Sequence, residues 1–319
     1  MKKYLFKADK NLYKANLHCH TTNSDGKHTP EEIKSLYTEK GYSVVAFTDH
    51  RKFIPHSHLN DPGFLALDAV EMNLNESGKE WVNIKTYHFC LIATRPGLEH
   101  PPALEHAFDY FDIESLNKYI ATVNDLGFLV VYNHPYWSLQ DYNDYYELDG
   151  IFAVEIYNHG SETEGHYGHT PQVYDELLRR GTPLFCVATD DNHNRAEPNH
   201  PQYDSFGGWI QINSPSLKYE DIITSMQSGD FYASCGPEIY EISLEDNQLR
   251  VKCSEVDTIA ITTHNRRCLV RHKEPDSIGL TEAEFTLSGK EEYIRVTCCD
   301  KNKKNAHSNA FWMSEGQNA

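Results

Sequence analysis

The chain lacks the sequence features of a membrane, secreted or nucleic-acid-binding protein. No apolar run approaches the ~20 residues that a membrane span requires, and residues 1–14 have only isolated apolar side chains, unlike a signal peptide. Basic residues are scarce: 29 Lys and Arg stand against 47 Asp and Glu, a formal net charge of −18. Such an acidic chain disfavours broad binding to nucleic acid or anionic lipid. We therefore expect a cytoplasmic protein with neither a nucleic-acid duplex nor a membrane as partner.

Paired cysteines are also missing. The eight cysteines contain no CxxC pair, and most of them lie inside apolar runs, as Cys90, Cys186 and Cys253 do. This distribution disfavours both a disulfide framework and a cysteine-based zinc site, and it indicates buried free thiols in a reducing compartment.

The chain of 319 residues suits one large α/β domain followed by a small one. Continuous apolar runs in the first two-thirds of the chain are typical of strands buried on both faces. Helical patterns separate several of these runs, which predicts a parallel barrel or a doubly wound sheet. The seven predicted strands are 15–20, 43–50, 69–74, 86–93, 128–134, 151–158 and 183–190.

Two features of the helices and turns support this organisation. Thr29, Pro30 and Glu32 have the spacing of a helix cap, and Thr170-Pro171 repeats the pattern. Beyond Gly236-Pro237 the helical patterns give way to short runs of alternating apolar and polar residues, typical of antiparallel strands. We therefore predict an α/β domain over residues 1–235 and a small all-β, sandwich-like domain over 236–319.

Ionisable residues occur at the ends of the predicted strands. His18 and His20 are one residue apart, so on a strand both point to the same side, away from Cys19. His50 ends the second strand, and Asp191 and His193 follow the seventh. Because the carboxyl ends of parallel strands gather at one mouth, neutral imidazoles and carboxylates in these places predict a metal site.

Four further residues near the same ends have a structural explanation beside the functional one. Asp25 precedes Gly26 and suits a turn, His88 suits a satisfied core histidine, and Glu155 suits an acid that orients another histidine. Glu71 is harder to explain by packing, since a carboxylate inside an apolar strand is costly unless it is paired or bound to metal.

The order of these motifs resembles the PHP (polymerase and histidinol phosphatase) domain over about residues 15–235. The resemblance rests on an HxH motif, an Asp, a TDH motif, a strand Glu, a His, an HP motif and a terminal DxH motif. It implies a distorted (β/α)7 barrel. Residues 231–237, followed by a β domain, further resemble the two-domain branch that includes a carbaryl hydrolase.

The resemblance also implies a set of metal ligands. It places His18, His20, Glu71 and Asp191 on a first ion. It places Glu71, His88 and His134 on a second ion, and Asp25, His50 and His193 on a third. Two or three divalent ions are thus expected, and histidine and carboxylate ligands suit manganese, iron or zinc.

We predict a metal-dependent phosphoesterase that hydrolyses a small phosphorylated metabolite by a metal-activated hydroxide. His159 and His193 are the predicted catalytic acid–base groups, and Asn158 and Arg195 are predicted to bind substrate. A homo-oligomer is compatible with the sequence.

Three alternatives stay open. The same metals could hydrolyse a carboxyl or carbamate ester. The β domain could bind a partner while the α/β domain acts only as a scaffold. The amidohydrolase barrel also begins with HxH, but the histidine after the second strand and the terminal DxH motif fit the PHP pattern better.

Overall fold

The computed structural model describes residues 2–105 and 107–313. The strands are β1 Lys3–Lys7, β2 Asn11–Asn16, β3 Tyr42–Phe47, β4 Leu65–Asn75, β5 Thr86–Ala93, β6 Phe128–Tyr132, β7 Ala153–Asn158, β8 Phe185–Thr189, β9 Trp209–Ser214, β10 Phe231–Ser234, β11 Ile239–Glu245, β12 Gln248–Val256, β13 Thr258–Thr263, β14 Leu269–His272, β15 Leu280–Thr286, β16 Tyr293–Cys299, β17 Asn305–Ser308 and β18 Phe311–Trp312. The α-helices are α1 Pro30–Glu39, α2 Ile113–Asp125, α3 Tyr142–Tyr145, α4 His159–Gly165, α5 Pro171–Arg179 and α6 Tyr219–Gln227. Short 3-10 helices cover Ser57–Leu59 and Trp81–Asn83.

The first predicted helix cap is confirmed, and the second is confirmed in its position, with Thr170 at the N-cap of α5 and Pro171 as its first residue, but without a side-chain capping bond. At the start of α1, the Thr29 hydroxyl accepts from the Glu32 amide at 3.3 Å, and the Glu32 carboxylate accepts from the Thr29 amide at 2.9 Å. Thr170 makes no such bond to α5. Its hydroxyl donates to the carbonyl of Glu155 in β7 at 2.7 Å, which ties the start of α5 to that strand.

The seven predicted strands correspond to β2 through β8, which are consecutive in the large sheet. Pairing is parallel from β2 to β4, antiparallel from β4 to β6 and parallel from β6 to β8. Beyond the ends of β2 and β8, the Asp191 amide donates to the His18 carbonyl at 2.9 Å, and the His20 amide donates to the Asn192 carbonyl at 3.1 Å. The residues after the first and the last of these strands therefore meet.

The structure is a mixed α/β fold with a large sheet, but it does not confirm a (β/α)7 repeat. Strands β4 and β5 form an antiparallel hairpin, and only a 3-10 helix lies between β3 and β4. The helix between β6 and β7 is four residues long. Within the described residues there are thus fewer helices than seven βα units need, because the short β4–β5 connection is a hairpin and the longer β3–β4 and β6–β7 connections contain only a 3-10 helix and a four-residue helix.

The strands after residue 236 form two sheets around a separate apolar cluster. One sheet has the order β1-β11-β12-β15, whereas β13, β14, β16 and β17 continue the large sheet through β10. Buried residues from both sheets, such as Ile242, Val251, Ile261 and Val296, share this cluster. Between residues 236 and 313 the structure contains no α-helix.

Strand β1 was not predicted from the sequence, and it pairs with β11 far along the chain. Phe6 of β1 is buried in the apolar cluster of the C-terminal strands. Strand β10 likewise pairs with β17. The N-terminal residues therefore complete a C-terminal sheet, and the domain boundary at residue 235 stays a prediction.

None of the helices within residues 2–105 and 107–313 has the length and apolar character needed to cross a membrane.

Candidate metal centre

His18 and His20 lie in the extended segment that follows β2, with both side chains on the same side. Their Nε2 atoms are 3.1 Å apart, and both side chains are fully buried. The Cys19 side chain instead packs in an apolar cluster with Ile33 and Tyr37. The prediction that the two imidazoles point together and the thiol points away is confirmed.

Glu71 and Asp191 complete a four-residue group with these histidines. The Asp191 Oδ1 atom lies 3.1 Å from the Nε2 atoms of both His18 and His20. Glu71 places Oε1 at 3.3 Å from His18 and Oε2 at 3.4 Å from His20. Ligand atoms held tetrahedrally about 2.0–2.1 Å from one ion lie roughly 3.3–3.4 Å apart. The spacing of each histidine from Asp191 and from Glu71 therefore suits ligands of a shared ion.

Two further groups adjoin the first. Glu71 Oε1 lies 2.8 Å from His88 Nδ1 and 3.5 Å from His134 Nε2. Asp25 lies 3.3 Å from His193 Nε2 and 3.8 Å from His50 Nε2. The structure thus brings together all nine residues that the sequence predicts as ligands, which are His18, His20, Asp25, His50, Glu71, His88, His134, Asp191 and His193.

The groups also contain members that the sequence did not reveal. His20 joins the third group, since its Nδ1 atom lies 3.7 Å from Asp25 Oδ1. Cys90 lies near His18 and Glu71. Cys90 comes two residues after His88 on β5, so both side chains lie on the same face of the strand. This spacing could have revealed Cys90 from the sequence.

Two ring nitrogens in the centre, His20 Nδ1 and His88 Nε2, are buried without a hydrogen-bond partner. Buried polar atoms are normally paired, because leaving one unpaired costs about 1–3 kcal/mol. Unpaired imidazole nitrogens beside converging carboxylates are suited to divalent ions. The residues present therefore fit the metal that the motifs imply.

The charges in the centre are strongly coupled. Burial alone would raise the pKa of Glu71, but the histidines around it, His88 first, hold it well below its usual range. Burial, followed by the charge of His193, lowers the pKa of His20 to about 4. Burial opposes a charge on His193, but the hydrogen bond with Asp25 and the negative charges of Asp191 and Asp25 together outweigh it and raise the pKa of His193 to about 9. The carboxylates are thus anionic, and metal binding must displace protons from some imidazoles.

Glu155 orients the first group from behind. Its Oε1 atom lies 2.8 Å from His18 Nδ1 and accepts from the Thr189 hydroxyl at 2.7 Å. Its Oε2 atom accepts from the His134 amide at 2.9 Å. A carboxylate on the far nitrogen of a histidine fixes the ring and its tautomer, so Glu155 acts through His18.

Asn158 was predicted to bind substrate, and its geometry shows a positioning residue instead. It is fully buried, and its Nδ2 atom donates to Glu155 at 2.8 Å and to Asp191 at 3.2 Å. Its Oδ1 atom accepts from the Ser161 amide and caps α4. All of its polar atoms are used within the protein because it ends β7 where α4 begins.

His159 is also not brought to the centre. Its Nδ1 atom contacts the Tyr157 hydroxyl at 2.9 Å, and its ring packs so closely on Gly207 that an added Cβ there would lie 2.2 Å from it. It does not line the cavity at the centre, so the structure does not support the predicted acid–base role of this residue. The reason is that the chain enters α4 at His159 and turns that residue toward the 206–208 segment.

A cavity of about 820 Å³ opens at the centre. Its wall includes Asp25, Glu71, Asp191, His193 and Arg195. The predicted residues His193 and Arg195 therefore both face this space. The guanidinium of Arg195 already pairs with Asp25 at 2.8 Å and is largely exposed.

The loop that carries Asp25 is held by Asp49. Its carboxylate accepts from the Thr21 amide at 2.8 Å and from the Ser24 hydroxyl at 2.7 Å. Gly26 closes the loop where a Cβ would lie 2.4 Å from the His20 carbonyl, so only glycine fits. The middle residue of the TDH motif is thus a positioning residue, a role that the sequence did not reveal.

The backbone at two ligands is left-handed. His134 has φ 25° and Asp191 has φ 52°. Residues other than glycine rarely adopt these values, and they are kept where the surrounding structure demands them, often at functional sites. This feature has no sequence signal.

Comparison with solved structures places this geometry in a known fold. The chain is 12% identical to a two-domain protein from Bacteroides vulgatus, described as containing a predicted PHP-like metal-dependent phosphoesterase. The match covers 97% of this chain and 98% of that chain, with a TM-score of 0.50. The fold is PHP-like. This structural match confirms the resemblance to the PHP domain that the order of the motifs indicates.

An amidohydrolase from Chromobacterium violaceum is also similar, with 14% identity over 56% of this chain and 87% of that chain. Its TM-score of 0.36 is too low to support an argument. No protein-family model and no curated protein sequence matches the chain. The PHP-like fold by itself assigns no activity, so the function must be argued from the site.

Proposed function

We propose that the protein is a metal-dependent hydrolase, specifically a phosphoesterase acting on a small phosphorylated metabolite. One observation carries this proposal: a single buried carboxylate, Glu71, contacts five imidazoles. The distances from Glu71 are 3.3 Å to His18, 3.4 Å to His20, 2.9 Å to His50, 2.8 Å to His88 and 3.5 Å to His134. Packing does not require such a cluster, whereas a carboxylate surrounded by imidazoles is the arrangement that would hold divalent ions.

Divalent ions, when bound, supply Lewis acidity and make water a stronger nucleophile near neutral pH. The residues around the ions would hold the ligand side chains in place. Glu155 fixes His18, and Asp49 fixes the loop that carries Asp25. Three overlapping ligand groups suit a phosphoryl group, whose several oxygens can be held at once, better than a single carbonyl oxygen.

The arginines of the cavity wall are already engaged by carboxylates of the protein. Arg195 pairs with Asp25, and Arg51 pairs with Glu105. Both guanidinium groups are thus already neutralised by carboxylates. The protein has no free arginine clamp among the described residues of this wall, so an anionic substrate must be attracted by the metal centre itself.

The cavity volume of about 820 Å³ matches a small-molecule site. We therefore propose a free metabolite as substrate. The acidic composition of the protein suits a cytoplasmic setting, which we propose as well.

The test uses protein stripped by a chelator and reloaded separately with manganese, iron or zinc. Each form is assayed against phosphomonoesters, phosphodiesters, carboxyl esters and carbamates, with metal content measured in parallel. We expect phosphate release only from metal-loaded protein. Turnover restricted to carboxyl esters or carbamates, or no turnover in protein shown to hold metal, would overturn the proposal.

A further inference from the structure

An unpaired amide oxygen lies beside the metal centre. Asn73 is the cross-strand partner of His88 and lines the same cavity. It is 5% exposed, its Nδ2 atom donates to Asn75 Oδ1 at 3.1 Å, and its Oδ1 atom has no hydrogen-bond partner. Because buried amide oxygens are normally paired, this acceptor is suited to a donor that the protein itself does not provide.

The direction of the Asn73 amide is set by its neighbours. Asn75 Oδ1 also accepts from the Thr86 hydroxyl at 2.6 Å, so this oxygen collects two donors. The amide group of Asn73 is therefore used toward Asn75, and its carbonyl oxygen is the free end. A ligand hydroxyl is the simplest group that could donate to it.

Two tryptophans form an aromatic wall near this acceptor. The Trp137 ring lies 5.0 Å from the His134 ring and 5.9 Å from the His88 ring, and its Nε1 atom donates to Glu164 at 2.7 Å. Trp81 lies 6.4 Å from Trp137, lines the same cavity and is 60% exposed. A large indole left open to a cavity offers a face for a ligand ring.

The arrangement distinguishes between two kinds of ring. The planes of Trp81 and Trp137 are 61° apart, so they cannot hold a flat base between parallel faces. A sugar ring presents C–H groups on one face and hydroxyls around its edge. Its C–H face can therefore lie against an indole while one of its hydroxyls donates to the amide oxygen of Asn73, which lines the same cavity.

We propose that Trp81, Trp137 and Asn73 form a subsite for the sugar ring of a hexose phosphate. The inference rests on the proposed phosphoesterase function and adds the substrate class. Directly opposed residues of an antiparallel pair have Cβ atoms about 5 Å apart, so a hydroxyl bound by Asn73 lies within about one sugar ring of His88. The phosphoryl group of the same molecule then reaches the ligand groups around Glu71.

The first test measures binding without turnover. Ligand-observed NMR with methyl α-glucoside, which has no phosphate, is run on metal-free protein of the full chain. We expect the sugar protons to receive saturation from wild-type protein, and the signal to fall at least about tenfold in Trp81→Ala and in Asn73→Ala. Phe111→Ala is the matched control, since Phe111 is 64% exposed and lies outside the cavity wall.

The second test measures preference with manganese-loaded protein, by phosphate release from glucose 6-phosphate, AMP and glycerol 2-phosphate. We expect wild-type kcat/KM for glucose 6-phosphate to exceed the other two at least about tenfold. In Trp81→Ala, the kcat/KM for glucose 6-phosphate divided by the kcat/KM for glycerol 2-phosphate should fall toward one.

The outcomes separate this inference from the proposed function. Equal hydrolysis of all three esters, or a preference for AMP, overturns the sugar subsite and leaves the phosphoesterase standing. Glucoside binding that depends on Trp81 without any phosphate release supports the subsite and overturns the proposed function. Binding that is unaffected by both variants overturns the subsite.

Discussion

Two clusters of ionisable side chains, each built around a buried charged residue, differ in how fully their polar atoms are paired. In the first, the Glu71 centre, His20 Nδ1 and His88 Nε2 have no hydrogen-bond partner. In the second, the Arg295 cluster, Arg295 makes two bonds to Asp175 at 2.6 and 2.7 Å. His307 in that cluster contacts Thr297 through Nδ1 at 3.1 Å and His169 through Nε2 at 3.2 Å.

The difference teaches that burial of charge does not by itself mark a functional site. Asp175 and Arg295 neutralise each other in a bidentate geometry, and the histidines beside them are paired. The Glu71 centre instead gathers imidazoles around carboxylates and leaves ring nitrogens unpaired. A charged cluster whose polar atoms are all paired within the protein indicates a structural role. A charged cluster with unpaired polar atoms indicates a binding site for a ligand.

The largest expected effect is at the Glu71 centre. Glu71→Gln keeps the size of the side chain and removes the charge shared by the histidines, so we expect metal content to fall and turnover to drop about 1000-fold or more. Elemental analysis and phosphate release measure the two effects. Glu291→Gln, at another buried glutamate that bonds Ser288, is the control and should change neither. Near-wild-type hydrolysis by Glu71→Gln would show that the carboxylate does not hold the ions.

The Arg295 cluster should respond in stability and not in metal content. Arg295→Met leaves the Asp175 carboxylate without its partner, which we expect to lower the free energy of unfolding by about 3 kcal/mol. The double variant Arg295→Met/Asp175→Leu should regain much of that loss because no charge is left unpaired. Urea unfolding measures both. A loss of metal per folded molecule in Arg295→Met would contradict the separation of the two clusters.

A smaller effect is expected from the residue that orients His18. Glu155→Gln retains most of the hydrogen-bonding capacity but weakens the acceptor on His18 Nδ1, and we expect metal affinity to fall about 10–100-fold. Competition with a chelator of known affinity measures the change. An effect as large as that of Glu71→Gln would indicate that Glu155 itself binds an ion.

The smallest effect concerns pH. Burial, with Arg295 and His169, holds the pKa of His307 well below its usual value. The unfolded chain takes up a proton on this residue below about pH 6.5, whereas the folded protein does not, so stability falls as the pH drops below that value. We expect His307→Gln to lose about 1 kcal/mol less than wild type between pH 6.5 and 5.5. Urea unfolding at both pH values, with the exposed His272→Gln as control, checks this; equal losses would contradict it.

Much of the fold could be predicted because it depends on local patterns, whereas the full ligand set followed from the resemblance to the PHP domain. The apolar runs located β2 to β8, and the one-residue spacing of His18 and His20 gave their common direction. The pairing of β1 with β11 could not be predicted, since it joins segments more than 200 residues apart and no local pattern encodes it.

The errors at the site have a related cause. Asn158 and His159 come at the end of a strand as the predicted ligands do, and only the backbone turn into α4 directs them elsewhere. Trp81 and Trp137 escaped notice because an exposed aromatic residue in a loop has no pattern of its own. Trp137 matters because its ring lies beside those of His88 and His134, and Trp81 because it lies beside Trp137, and only the three-dimensional structure shows these distances.

The most direct test of the central claim is anomalous X-ray diffraction from crystals of manganese-loaded protein. We predict a peak within about 2.0–2.3 Å of the side-chain ligand atoms of His18, His20, Glu71 and Asp191. A second peak should contact Glu71 together with His88 and His134. Crystals of protein proven to contain manganese that show no peak beside Glu71 would contradict the account.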